Sequence, residues 1–279
     1  MDLTNIAVIK NILEAQGLWA KKKLGQHFLI DKKVLGKIIE SADLKSQDVV
    51  LEIGSGLGAL TLKLLKKVEK VVALEKDQKM AEIFKTITSG FKNLEILNED
   101  ALKFDLRKLP KNYKVVANIP YYITSPLLKV LLEAKNRPKL IVLMVQKEVA
   151  ERIMAISPNM NILAIAVQFY AKPEIVGFVL KNSFFPKPKV DSAIIKILPR
   201  SGTLAEEVDE KNFFRIVKIG FSSPRKQLQN NLRAGLKISK EKVNKVLEKS
   251  QINPSQRPQE LSINDWIRIC NAFLHFIDN

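Results

Sequence analysis

Asn118-Ile119-Pro120-Tyr121-Tyr122 places an amide, a proline and two aromatic rings directly after the apolar run from Tyr113 to Ala117. Pro120 has no N–H for a ladder and pushes Ile119 toward extended geometry, so a buried strand should end here with its last carbonyls unpaired. A planar molecule with an exocyclic NH2 would satisfy them: Asn118 and the backbone accept its hydrogens while Tyr121 stacks on its ring. Nucleobases have that form. Taken alone, the pentapeptide is more simply a tight strand-to-helix turn capped by Asn118. The residues that accompany it decide between the two.

Leu51-Glu52-Ile53-Gly54-Ser55-Gly56-Leu57-Gly58 stands where an earlier strand hands over to a helix. Glycines there let the backbone approach a ligand closely, beside free N–H groups. The spacing is neither G-x-G-x-x-G nor a phosphate loop with its lysine, and Glu52 would repel a pyrophosphate and attract a cation. Glu75 ends the next strand, where doubly wound folds hold a ribose by its two hydroxyls. Asp100, followed by Ala101, ends the third, and a carboxylate there can accept from an adenine amino group. A helix N-cap or a solvated strand end would explain each acid singly. Together, in strand order and followed by Asn118 to Tyr121 at the fourth strand, they describe a nucleoside with a positive, phosphate-free tail. S-adenosylmethionine fits.

The elements that must position these residues follow from the hydrophobic pattern. Strands are expected near 49–53, 70–75, 94–97, 113–117 and 139–145 with helices between, the alternation of a parallel sheet covered on both faces. A helix over 4–16, with Ile6, Ile9, Ile12 and Leu13 on one stripe, precedes them, and Asp31 caps another that runs to Ala42. After a helix that begins near Gln146, the apolar stretch 161–170 and the runs 174–180 and 191–198 succeed one another without long helices, which suggests an antiparallel edge. Phe184 to Lys189 is too rich in proline for either element and reads as a loop. A boundary at Pro199 to Gly202 gives expected domains of 1–200 and 201–279, the second all-helical with helices near 209–221, 224–234, 239–249 and 262–277.

Composition narrows the setting. The chain has 279 residues, 46% of them hydrophobic, enough for a real core without staples. Cys270 stands alone, and His27 and His275 leave little for zinc, so neither a disulfide framework nor a metal is expected and the chain reads as cytoplasmic. It has no apolar run of eighteen residues and no leader pattern, which argues against secretion or a membrane span. The net charge of +17 exceeds what solubility needs and suits a polyanion, with nucleic acid the leading partner.

Gly25-Gln26-His27-Phe28-Leu29, Glu52-Ile53-Gly54-Ser55-Gly56, Asn118-Ile119-Pro120-Tyr121, Val145-Gln146-Lys147-Glu148-Val149-Ala150 and Phe184-Phe185-Pro186-Lys187-Pro188-Lys189-Val190-Asp191-Ser192-Ala193 resemble the ribosomal RNA adenine N6-dimethyltransferases over nearly the whole chain. The resemblance implies a Rossmann-like class I methyltransferase domain with a small all-helical domain behind it. Asn253-Pro254, Arg257 and Glu260-Leu261-Ser262 are similar to the tail of the branch that dimethylates two adjacent adenines in a hairpin near the 3′ end of small-subunit (16S) rRNA during ribosome assembly. The branch to exclude modifies large-subunit rRNA and confers macrolide resistance. Carried over by motif, the resemblance sets the cofactor against His27, Leu29, Gly54, Gly56, Glu75, Asp100, Ala101 and Asn118. It gives catalysis to Asn118, Pro120 and Tyr121, with Phe184 opposite Tyr121 against the target base. It implies a monomer acting on a pre-ribosomal small subunit.

Phosphate contacts are expected from Lys21, Lys22 and Lys23, and from Arg225, Lys226 and Arg233 on the helical domain. The family usually carries a polar loop with glycine and tyrosine after the 148–152 segment. Ile156-Ser157-Pro158-Asn159-Met160-Asn161 is short and unlike it, so no RNA contact is carried over there. A non-catalytic assembly protein on the same fold is the rival reading, and methylation of DNA adenine or of protein glutamine shares the Asn-x-Pro-Tyr chemistry. The intact glycine turn, Glu75 and Asp100 argue against the first, and the 25–29 segment and helical tail against the second.

Overall fold

In the computed structural model, which describes residues 1–20, 25–200, 204 and 208–277, with side chains to residue 273, the β-branched runs form a seven-stranded sheet. Lys21, Lys22 and Lys23 lie outside the described residues. In chain order the elements are α1 (Ile6–Ala15), β1 (Phe28–Leu29), α2 (Lys32–Ser41), β2 (Val49–Ile53), α3 (Thr61–Leu64), β3 (Lys70–Leu74), α4 (Gln78–Ile87), β4 (Leu94–Leu97), β5 (Lys114–Asn118), α5 (Thr124–Glu133) and β6 (Leu140–Gln146). There follow α6 (Lys147–Ile153), α7 (Ile162–Tyr170), β7 (Ala171–Val179), β8 (Phe184–Phe185), β9 (Ser192–Pro199), α8 (Glu210–Gly220), α9 (Leu228–Leu236), α10 (Lys240–Lys249) and α11 (Ile263–Ile277).

The chain divides into two compact units, Met1–Ala150 with Lys172–Pro199, and Glu151–Ala171 with Arg200–Asn279. The first holds the sheet, in the order β4-β3-β2-β5-β6-β9-β7. β2 through β6 pair in parallel, and β9 runs antiparallel to β6. Strands buried on both faces carry nearly continuous apolar runs, as in Leu140–Gln146, buried at six of seven positions. Strand order reverses between β2 and β5, the crevice where open α/β sheets bind ligands beyond the carboxyl ends of their strands.

Two expectations are corrected. Residues 161–170, read among the strand candidates, form α7: Asn161 accepts the Ala164 N–H at 3.0 Å as a cap, and the helix is apolar nearly all round because it is buried. Such a run has no period that separates it from a core strand. Phe184 and Phe185 are not wholly loop, since they pair antiparallel with β1, Leu29 opposite Phe184 and Phe28 opposite Phe185.

The second unit is helical. Phe169 of α7 stacks on Phe213 of α8 at 4.5 Å, and Tyr170 Oη donates to Glu210 at 2.6 Å. Residues 151–171 therefore join the helical unit, which differs from the expected division into 1–200 and 201–279. The unusual 156–161 segment is fastened within this unit: Ser157 Oγ donates to the Glu260 carbonyl at 2.7 Å and Met160 N–H to that of Gln259 at 2.9 Å. α9 starts at Leu228, so Arg225 and Lys226 stand in the turn ahead of it, not on the helix.

At the start of β5, Lys114 is a buried cation, its side chain 5% exposed. Nζ sits 2.8 Å from Asp48 and donates to the carbonyls of Ala42 and Asp43 at the end of α2. This tie fixes the strand whose far end is Asn118. Removing one member of a buried pair strands the other charge, so Lys114→Met should destabilise the first unit by about 3 kcal/mol or more. Urea unfolding followed by fluorescence checks it.

Candidate active site

The carboxyl ends of β2, β3 and β5 open onto a cavity of about 340 Å³. β2 turns sharply at Gly54, whose φ of +72° suits glycine and where a Cβ would meet Pro120 Cδ at 3.3 Å. Gly58 is more constrained still: at φ +94° a Cβ would lie 2.6 Å from the Phe84 ring. The turn thus packs against Pro120 on one side and α4 on the other, and its glycine N–H groups are not the free donors expected: Gly54 donates to the Leu74 carbonyl at 2.8 Å, Gly58 to the Ser55 carbonyl at 2.9 Å and Gly56 to Glu75.

Glu75 holds this turn in place. One carboxylate oxygen accepts Gly56 N–H at 3.0 Å and the other Asp77 N–H at 2.9 Å. Burial raises its pKa above the ordinary carboxylate value, while the two N–H donors oppose the rise. Asp100 is different. Its carboxylate takes Lys76 Nζ at 2.8 Å and Leu102 N–H at 3.0 Å, and the lysine holds its pKa below the usual value.

Glu52 is the most unusual group in the site. It is 1% exposed, its Oε2 has no hydrogen-bond partner among the described residues, and burial pushes its pKa up to about 8. Ser55 Oγ, also facing the cavity, is likewise without a partner. A buried carboxyl oxygen and a buried hydroxyl without partners are each costly unless a ligand completes them. These unfilled polar atoms, with the Glu75 carboxyl at the second strand end and Asp100 at the third, fit the nucleoside S-adenosylmethionine.

Across the cavity, Asn118 Nδ2 donates to the His27 carbonyl at 3.2 Å. A carbonyl can only accept, so the NH2 end of the amide is committed there and Oδ1 is left to accept from a ligand. The Pro120 carbonyl accepts Ile123 N–H at 3.1 Å as the chain enters a single 3-10 turn, Tyr121–Ile123, before α5. Its second lone pair stays available. Tyr121 Oη lies 2.6 Å from Ser192 Oγ and its ring stacks on His27, centroids 6.0 Å apart. His27 Nδ1 is 2.6 Å from the Pro186 carbonyl, which makes Nδ1 the protonated nitrogen.

The structure therefore gathers His27, Leu29, Gly54, Gly56, Glu75, Asp100, Ala101, Asn118, Pro120 and Tyr121 around one cavity. Phe184 stands apart. It is 3% exposed, lies in the hydrophobic core with Leu29 and Leu35, and does not line the cavity, because strand alternation turns it inward while Phe185 faces the other way. Arg225, Lys226 and Arg233 are exposed on the helical unit. Sequence reasoning left out Lys76 and Ser192, whose roles rest on contacts with Asp100 and Tyr121 that no local pattern announces.

A family model described as ribosomal RNA adenine dimethylase matches residues 17–274. The chain is 43% identical to ribosomal RNA small subunit methyltransferase A of Dehalococcoides mccartyi (strain CBDB1), covering 95% of this chain and 92% of that protein. It is 41% identical to the protein of the same name from Streptococcus thermophilus (strain CNRZ 1066), covering 98% of each. Among solved structures, a dimethyladenosine transferase from Plasmodium falciparum superposes with a TM-score of 0.77 at 33% identity, over 89% of this chain and 96% of that one. The 23S rRNA methyltransferase ErmE follows at 0.71 and 26%, over 88% of this chain and 98% of that one. With the glycine turn, the two strand-end acids and the oriented Asn118 amide in one cavity, the chain belongs to the ribosomal RNA adenine dimethylase family.

Proposed function

We propose that the protein uses S-adenosylmethionine to dimethylate N6 of two adjacent adenines in a hairpin near the 3′ end of small-subunit rRNA, acting as a cytoplasmic monomer on a pre-ribosomal particle. The observation that supports this reading is the Asn118 amide, whose Nδ2 is taken by the His27 carbonyl so that Oδ1 is left to accept from a ligand in the cavity that Asn118 lines. The 39–43% identity to proteins named as small-subunit methyltransferases favours the small subunit over the large. Exposed Arg225, Lys226 and Arg233, together with Lys21, Lys22 and Lys23, supply cations for the phosphate backbone.

When bound, the cofactor supplies an electrophilic methyl group on a sulfonium. Glu75 keeps lone pairs for two ribose hydroxyls, and Asp100 with Ala101 borders the adenine end of the site. Asn118 Oδ1 and the Pro120 carbonyl accept the two hydrogens of the target amine, so the N6 lone pair is drawn out of conjugation with the ring and aimed at the methyl. The same oxygens stabilise the positive charge that grows on nitrogen, and a proton then leaves N6 to solvent. Tyr121, held by Ser192 and His27, offers a ring face to the flipped base.

Three outcomes follow from these assignments. Glu75→Ala should weaken S-adenosylmethionine binding by about 1.5 to 3 kcal/mol through loss of charge-assisted bonds; calorimetry reads this directly, and an unchanged affinity removes Glu75 from the cofactor site. Asn118→Ala should slow single-turnover methylation of unmodified small-subunit particles by about 10² to 10³ while leaving particle binding intact. A wild-type rate would reduce the motif to a turn. The third concerns Glu52, whose folded pKa of about 8 lies above its ordinary 4.5. The folded protein holds the Glu52 proton up to about pH 8 while the unfolded chain releases it from about 4.5, so the stability it contributes is fully present below pH 4.5 and is lost as pH rises toward 8. Glu52→Gln should therefore match the ligand-free wild type near pH 4.5 and gain on it up to pH 8, by at most on the order of 4 kcal/mol. Melting curves across that range test it, a constant difference being the contrary result.

A further inference from the structure

Beside the cavity, β7 ends in a patch that the proposed chemistry does not use. Phe178 is 58% exposed and Leu180 66%, whereas Val179 between them is 3% exposed, so the alternation of the strand puts two large apolar side chains outward together. Val190, 41% exposed, joins them where the Asp191 carboxylate accepts Lys181 N–H at 2.9 Å and closes the turn between β7 and β9. A cation stands over the aromatic ring: Lys147 Nζ is 5.1 Å from the Phe178 centroid. The stretch 172–191 carries four lysines against two acids, Glu174 and Asp191, and Glu148 follows Lys147. Exposed apolar side chains grouped with cations mark a contact surface.

The patch is tied to the catalytic side of the cavity through short links. Tyr121 Oη is 2.6 Å from Ser192 Oγ, Ser192 opens β9 opposite Gln146, and the next residue, Lys147, donates its N–H to the Asp191 carbonyl at 3.0 Å. β7 is the neighbour of β9, and adjacent strands lie roughly 5 Å apart. A ring face with an ammonium close by offers what one nucleotide presents, a base to stack and a phosphate to neutralise.

We propose that Phe178 and Lys147 form a second base-stacking platform, which holds a nucleotide flanking the target adenine once that adenine has entered the cavity beside Tyr121. This rests on the reading of the protein as an RNA adenine methyltransferase. The platform gives a flanking base somewhere to go when the target leaves its stack, and it lowers the cost of opening the RNA there.

The test uses a synthetic hairpin RNA with 2-aminopurine at the position beside the target adenine, the full-length protein and S-adenosylmethionine. The wild type should quench the 2-aminopurine, Phe178→Trp should quench it equally, and Phe178→Ala and Phe178→Leu should not. The alanine variant should also raise KM for unmodified small-subunit particles about tenfold, with kcat, cofactor affinity and melting temperature near wild type. Quenching retained by Phe178→Ala overturns the platform, and so does a leucine variant that binds like wild type, since that marks an apolar contact with protein. Methylation of the particles by the wild type is scored separately: if it fails while quenching still depends on the ring at 178, the methyltransferase reading falls and the stacking surface stands.

Discussion

A buried carboxylate that accepts two backbone N–H groups, Glu75, is the interaction on which the cavity's shape depends. Gly56 N–H comes from the turn after β2 and Asp77 N–H from the start of α4, so one side chain joins two strand ends and a helix. Asp77 in turn caps α4 by accepting from Lys79 and Met80. The glycine turn alone has backbone freedom but no reason to keep its N–H groups in place. Glu75 supplies it. Burial raises the cost of its charge, and the two donors offset part of that cost only while the turn keeps this geometry. In the proposed reaction, loss of the acid removes both ligand contacts and the support of the turn.

The opposite wall depends on a segment remote in sequence. His27, Phe28 and Leu29 lie ahead of the sheet, yet β1 pairs with β8, the Ile30 N–H donates to the Ser183 carbonyl, and Ser183 Oγ donates to Asp31. Asp31 is also the cap of α2, so one carboxylate both starts a helix and anchors the 183–186 segment. The product of these contacts is the position of the His27 carbonyl, and that carbonyl decides which end of the Asn118 amide faces inward. The amide proposed to accept from the target amine is thus oriented by a backbone group 91 residues away.

Where a local rule governed, the sequence was a good guide. β2 spans 49–53 and β4 spans 94–97 as expected, because buried parallel strands are short apolar runs bounded by glycine and polar residues. Asp31 caps α2 as its type requires, and eight of the ten cavity residues, all but His27 and Leu29, come together because strand ends converge in a parallel sheet. Where the answer lay in packing, the sequence was ambiguous. Residues 161–170 are apolar in every direction, which fits a buried helix and a core strand alike, and α8 decided for the helix through Phe213. Phe184 and Phe185 are adjacent aromatics of equal chemistry. Which one turns into the core is set by the register with β1, invisible until the strands are paired. Glu52 stood out as an acid in an apolar strand, but that its Oε2 has no hydrogen-bond partner among the described residues is a property of the folded chain alone.

The charges of the molecule are sorted in a way that suits two oppositely charged ligands at once. The chain carries +17, yet the cavity is lined by Glu52, Glu75, Asp77, Glu99 and Asp100 with Lys76 among them. A basic exterior draws a polyanion from a distance, where the summed charge matters more than any one residue. At close range the sign reverses. Glu52, with its pKa of about 8, stays neutral near pH 7, but the other acids in this partly buried space favour a cationic cofactor, and under the proposed function they would repel a phosphate that strays inward and admit the uncharged base. The neutral acceptors Asn118 and the Pro120 carbonyl line the same cavity, and in the proposed reaction they would receive the amine of that base. A charged acceptor there would bind the amine tightly before reaction as well as during it, whereas an amide oxygen and a peptide carbonyl strengthen their hold as positive charge grows on nitrogen.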